Sequence, residues 1–149
     1  MKRKIYFTSL LIVIFMSGCV SKNPTHIDLE ITSGKEINVD DDNVSSPLML
    51  VFYELSSADK FSKYNYWDIV DNSGKKLKQD ILSQTKYPIL PNEKQTYQIV
   101  FDEKAKYLGI VAKFRDIKDS NWRYIINLEK DSSNEAELKI KKYSITEDE

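Results

Sequence analysis

Alternation of oily and polar side chains organises most of this chain. Over Thr25–Thr32, Ile27, Leu29 and Ile31 alternate with His26, Asp28 and Glu30, the pattern of a half-buried strand. Ser33-Gly34-Lys35 reads as a turn, Glu36–Val39 as a short extended piece, and Asp40 to Pro47 as a polar loop. Leu48–Leu55 is apolar on both faces except at Glu54, which predicts a central strand with Pro47 at its start. Ser56–Val70 changes period: Phe61 and Tyr64 stand three apart, and Tyr66, Trp67, Ile69 and Val70 follow, predicting short helical turns N-capped by Ser56 or Ser57. Asp71–Gly74 reads as a turn and Lys75–Ile81 as a short strand or loop.

Leu82–Leu90 reads as an edge strand because Pro88 cannot donate to a ladder. Pro91-Asn92 predicts a tight turn, and Gln95–Phe101 then becomes the hairpin partner of the strand before it. Tyr107–Phe114 is a second apolar strand, in which Gly109 permits close backbone approach. Trp122–Leu128 alternates again, and Glu135–Ser144, with its lysines, reads as a last, exposed edge strand before a frayed acidic end at 145–149. About seven or eight short strands with regular turn signals predict a mainly β fold, a two-sheet antiparallel sandwich with a short helical insert. Phe52, Ile110 and Trp122 are expected in its core.

The first residues follow different logic. Lys2, Arg3 and Lys4 precede the mostly apolar run Ile5–Phe15, which is too short to span a bilayer, since a span needs about 20 apolar residues. A charged start, an apolar middle and small residues make a signal peptide over 1–18. Met16-Ser17-Gly18-Cys19 resembles the bacterial lipobox, which implies cleavage after Gly18 and lipidation of Cys19, the only cysteine. Residues 19–24 then form a short lipidated tether and 25–144 the folded domain. Val20, rather than Asp, after the cysteine implies the periplasmic face of the outer membrane by analogy with other such lipoproteins.

Without Lys2, Arg3 and Lys4, the mature chain carries 19 basic against 23 acidic residues. A mildly acidic chain with no basic cluster is a poor nucleic-acid binder. With Cys19 lipidated, no thiol is left for a disulfide, so the core alone must hold the fold.

Catalytic and metal chemistry find little footing. One histidine, His26, and no free cysteine argue against zinc or copper. Asp40–Asn43 lacks the ligand alternation and glycine of a calcium loop. The glycines at 18, 34, 74 and 109 are too scattered to cradle phosphate. The expectation is no metal, no cofactor beyond the lipid, and no catalysis. Arg115-Asp116 is expected as an ion pair or turn brace. Two alternatives retain candidate residues: Glu54 as the general acid of a cell-wall hydrolase, and Tyr64, Tyr66 and Trp67 as a platform of a periplasmic lipoprotein that stacks on a glycan.

Several segments, in order behind the lipobox, carry a further resemblance: Ser46–Leu55, the insert with Phe61 and Trp67, Pro91-Asn92-Glu93, Tyr107–Ala112, Phe114-Arg115-Asp116 and Trp122-Arg123. This set resembles the outer-membrane lipoprotein of the type VI secretion system, the TssJ/SciN/VasD family, over about Ile37 to Leu128. The resemblance implies a transthyretin-like sandwich and a non-enzymatic part in the secretion membrane complex. It further implies that the protein tethers the periplasmic C-terminal domain of the TssM-type inner-membrane subunit to outer-membrane lipid. In the family much of that contact lies on the loop between the first two strands. Here that loop is about Asn38–Ser46, with Val39, Asp40, Asp41, Asp42, Asn43 and Val44 as the candidate contact residues.

Overall fold

The computed structural model describes residues 22–71 and 73–148. The signal peptide over 1–18, Cys19 with its lipidation, Asn72 of the expected turn at 71–74, and Glu149 lie outside the described residues. Eight strands are present among them: His26–Ser33 (β1), Leu48–Leu55 (β2), Ile81–Ile89 (β3), Lys94–Val100 (β4), Tyr107–Ala112 (β5), Arg123–Asn127 (β6), Ser133–Lys141 (β7) and Ser144–Glu147 (β8). Between β2 and β3 lie three short helices, Asp59–Lys63 (α1), Tyr66–Val70 (α2) and Ser73–Lys76 (α3). One sheet has the order β4-β1-β7-β8 and the other β3-β2-β5-β6.

Period-2 burial explains both sheets. Ile27, Leu29 and Ile31 of β1 are fully buried and meet Leu138 and Ile140 of β7 in the inter-sheet core. Burying each such side chain contributes about 1.5–3 kcal/mol. In β2, Leu48, Leu50 and Phe52 face that same core, while Val51, Tyr53 and Leu55 face a second core under the helices. Two covered faces are the reason β2 is almost continuously apolar. Phe52 packs on Tyr87 and Tyr97, with ring centroids 4.9 and 5.1 Å away, and so joins β3 in one sheet to β4 in the other.

The insert lies on the outer face of β2 and β5. A Cβ at Gly109 would come within 2.7 Å of the Phe61 ring and 2.9 Å of Leu55, so glycine there makes room for α1. Arg123 of β6 donates from Nη1 to the carbonyls of Phe61 (2.6 Å) and Tyr64 (2.9 Å), satisfying acceptors at the end of α1. Burial draws its guanidinium below the ordinary value. α2 is capped by Asn65, whose side chain accepts from the Asp68 N–H at 2.9 Å.

Several expectations are corrected. β3 and β4 are not a hairpin: β3 pairs with β2 and β4 with β1. The linker at 90–93 is instead tied to the end of β1, where the Asn92 N–H donates to the Gly34 carbonyl and the Glu93 N–H to Ser33 Oγ, so the chain crosses between sheets. The sandwich is not wholly antiparallel, because β1 and β7 run parallel. That pairing places β7 inside its sheet, and β8 is the edge. The expected frayed end is therefore a strand through Glu147, after which the Asp148 N–H donates to the Glu137 carbonyl. Residues 75–76 belong to α3, and the N-cap of α1 is Ala58 rather than Ser56 or Ser57. No strand forms at Glu36–Val39, where Asn38 has φ 46°. Trp122 is half-buried, at the border of both cores, rather than fully interior.

Candidate functional site

The connections divide between the two ends of the sandwich. At one end the chain enters β1 through Thr25, which is buried, accepts from the Asp131 N–H at 2.9 Å on its hydroxyl, and accepts from the Phe101 N–H on its carbonyl. The register places Val100 beside His26, and Ser133 on its other side. At the other end lie the loop from Gly34 to Pro47, the loop from Lys113 to Trp122, and the turn at Lys142-Tyr143. The eight residues of β1 separate the ends by about 26 Å at ~3.3 Å per residue.

The loop end is built rather than loose. Asp40 Oδ1 accepts from the N–H groups of Asp42 (3.1 Å) and Val44 (2.8 Å), and the Asn43 N–H donates to the Asp40 carbonyl at 3.0 Å. Asn43 has φ 60°, a conformation that Asn tolerates better than most residues. Lys142 Nζ donates to Asn43 Oδ1 at 3.0 Å and so ties this loop to the β7–β8 turn. Asn38 is 5% exposed. It donates from Nδ2 to the Pro47 carbonyl (2.9 Å), accepts on Oδ1 from the Arg115 N–H (2.8 Å), and donates its own N–H to the Lys142 carbonyl (3.1 Å). Val39, Asp40, Asp41, Arg115, Asp116 and Tyr143 line an open cleft of about 390 Å³.

The six expected contact residues thus separate by role. Asp41, Asp42, Asn43 and Val44 are exposed, Val44 by 58%. Val39 is buried at 4% and anchors the loop. Oδ1 of the Asp40 carboxylate is taken by two backbone donors. Asn38, Arg115 and Tyr143 were not among the expected contacts. The sequence marks Arg115-Asp116 as an ion pair or turn brace and as part of the family resemblance, not as a contact; the Asp116 carboxylate there accepts from the Lys118 and Asp119 N–H groups as a turn brace.

The other candidates take structural places. Both Glu54 carboxylate oxygens are engaged, by Ser83 Oγ at 2.7 Å and by the Asp102 N–H, so it braces β2 against β3 and the β4–β5 connection. Of the aromatic insert, Tyr66 is buried and stands at 88° to Trp67, so the two rings form no flat platform. Trp67 is 60% exposed. His26 Nδ1 lies 3.0 Å from the Pro24 carbonyl at the tether. Among the described residues no three His, Cys, Asp or Glu side chains gather as a metal site, and no helix is long and apolar enough to cross a membrane.

Similar folds exist among solved structures. The type VI secretion lipoprotein TssJ1 from Pseudomonas aeruginosa superposes with a TM-score of 0.79 at 24% identity, over 83% of this chain and 94% of that one. Lip from Serratia marcescens, a membrane-bound component of the type VI secretion system, gives 0.78 at 14% identity, over 85% and 97%. A chain in the structure described as the TssM C-terminal domain (869–1107) from EAEC gives 0.69 at 20% identity, over 84% and 98%. No curated protein matches the chain. The profile of the T6SS-SciN family, described as type VI secretion lipoprotein, VasD, EvfM, TssJ, matches residues 25–143. That match covers β1 to β7, the helical insert and the loop end, and this chain belongs to the family of type VI secretion lipoproteins.

Proposed function

We propose that this protein is a non-catalytic docking component of a type VI secretion membrane complex. Lipid on Cys19 anchors it to the periplasmic face of the outer membrane, and its loop end holds the periplasmic C-terminal domain of a TssM-type inner-membrane subunit. The observation that carries this reading is the polarity of the sandwich. The tether enters at Thr25, and the exposed residues Asp41–Val44 stand at the far end of β1. An anchor at one end leaves the opposite end pointing into the periplasm, toward a subunit of the inner membrane. The occurrence of this fold in a structure described by the TssM C-terminal domain supports the choice of partner.

Binding of that partner domain to the full chain tests the docking part. Replacing residues 40–44 by Gly-Gly should abolish binding while the domain stays folded, because Val39 and the core are retained. Binding at the original affinity would move the interface away from this end. Labelled palmitate tests the anchor: incorporation into the wild-type chain and none into Cys19→Ser is expected, and an unlabelled wild type would remove the lipid from the account.

A further inference from the structure

We propose that the docking surface is composite: Asn38 fixes three loops into one preformed face, and the protein partner reads Arg115 and Tyr143 together with the acidic loop. The inference rests on the docking reading above and names residues that reading does not contain. The Asn38 side chain touches the β1–β2 loop at Pro47 and the β5–β6 loop at Arg115 while its backbone holds the β7–β8 turn at Lys142. It does so from a buried position at φ 46°. A residue there must accept the left-handed region, offer one donor and one acceptor, and be small; asparagine meets all three demands. Lys142 then reaches back to Asn43, so the turn and the acidic loop are joined a second time.

The result is a cleft whose wall is drawn from three loops, at Val39–Asp41, Arg115-Asp116 and Tyr143. Among the described residues the Arg115 side chain is in no ion pair, and it is exposed beside Asp116. A partner segment that seats in this cleft meets a fork of guanidinium donors, a phenol ring and the three carboxylates of Asp40, Asp41 and Asp116. It therefore fits a polar protein loop with an acceptor for Arg115, rather than an apolar helix. Because the three loops are already fixed, docking loses less conformational entropy than it would with free loops.

Affinity of the TssM-type periplasmic domain for full-length variants, with hydrogen exchange at the Arg115 amide, tests this. Arg115→Ala and Tyr143→Ala should each weaken binding about tenfold, which corresponds to ~1.4 kcal/mol. Asn38→Gly keeps the backbone conformation but loses both side-chain bonds. It should speed exchange at the Arg115 amide and weaken binding to a similar degree. Asn38→Asp keeps the acceptor for that amide and should restore its protection and part of the affinity. In the double variant Asn38→Gly with Arg115→Ala, binding should be no weaker than in the weaker single variant, since Asn38 acts through Arg115. Wild-type affinity of both Arg115→Ala and Tyr143→Ala, alongside lost binding when residues 40–44 become Gly-Gly, would overturn the composite surface and leave the docking loop standing. Multiplying losses in the double variant would overturn the positioning role of Asn38. Retained binding with the Gly-Gly loop would overturn the docking reading itself. Arg115 is exposed and Tyr143 half-buried, so these two variants decide the matter even where an Asn38 variant folds poorly.

Discussion

The interior of the sandwich and its loop end are held by different physics. In the interior, Ile27, Leu29, Leu50, Phe52 and Ile110 are buried by shape and oiliness, and neighbours of similar volume could replace one another at modest cost. At the loop end the buried apolar side chains are few, Ile37, Val39 and Phe114 among the described residues. Order comes instead from a few polar groups, Asn38 and Asp40 above all, each aimed at named backbone partners. The difference teaches that this domain can change its loop end without losing its fold. It also teaches that single polar residues there matter more than their small area suggests.

Substitutions sharpen that contrast. The largest expected effect is Phe52→Ala, which removes the ring that joins Tyr87 to Tyr97 across the two sheets. A loss of about 3–5 kcal/mol is expected, read as a lowered midpoint in chemical denaturation. An unchanged midpoint would show that the inter-sheet core does not hold the fold. Next comes Gly109→Ala, which pushes a methyl group to within 2.7 Å of Phe61. Overpacking of this kind costs about 1–3 kcal/mol, and Phe61→Leu in the same chain should recover part of it, which equilibrium unfolding of single and double variants would measure.

A smaller effect is confined to alkaline pH. Burial pushes the Tyr97 phenol up to about 12 from the model-compound value of 10.0. The folded state therefore binds the proton more tightly than the unfolded state. Its contribution is complete below pH 10 and declines as pH rises from about 10 to 12. Tyr97→Phe should make the unfolding midpoint less sensitive to pH across that window than in wild type; equal slopes would contradict the assignment. The smallest effect belongs to the loop end. Asp41 and Asp42 are exposed, and reversing both to Lys should change unfolding free energy by no more than about 0.5 kcal/mol. If their charge steers the partner, the same variant should associate more slowly and with weaker salt dependence.

Most strands were legible in the sequence because each has one buried face or two. Strict alternation placed β1, the apolar run broken only at Glu54 placed β2 with its ends, and Pro88 marked β3 as an edge. The pairing of strands was less legible, because alternation says which face is buried and not which neighbour lies beside it. The short linker at Pro91-Asn92 carries the signal of a hairpin, with Asn92 at φ 57°, yet its backbone is captured by Ser33 and Gly34 and the chain changes sheet. The lysines of β7 suggested an edge, but they lie on the solvated face of an interior strand. The polar connection between the first two strands was legible as a loop. Its fastening was not: an asparagine in a polar loop looks like any other until the chain brings Pro47 and Arg115 to it.

The measurement that bears most directly on this account is site-specific photo-crosslinking of the full, membrane-bound chain in the presence of the TssM-type periplasmic domain. One photoreactive residue replaces Asp41 at the loop end, and in a separate variant one replaces Lys104, which is exposed in the β4–β5 connection at the tether end. The account predicts a crosslink to the partner domain from position 41 and none from position 104. A crosslink from position 104 alone, or none from position 41 while the two proteins are bound, would contradict it.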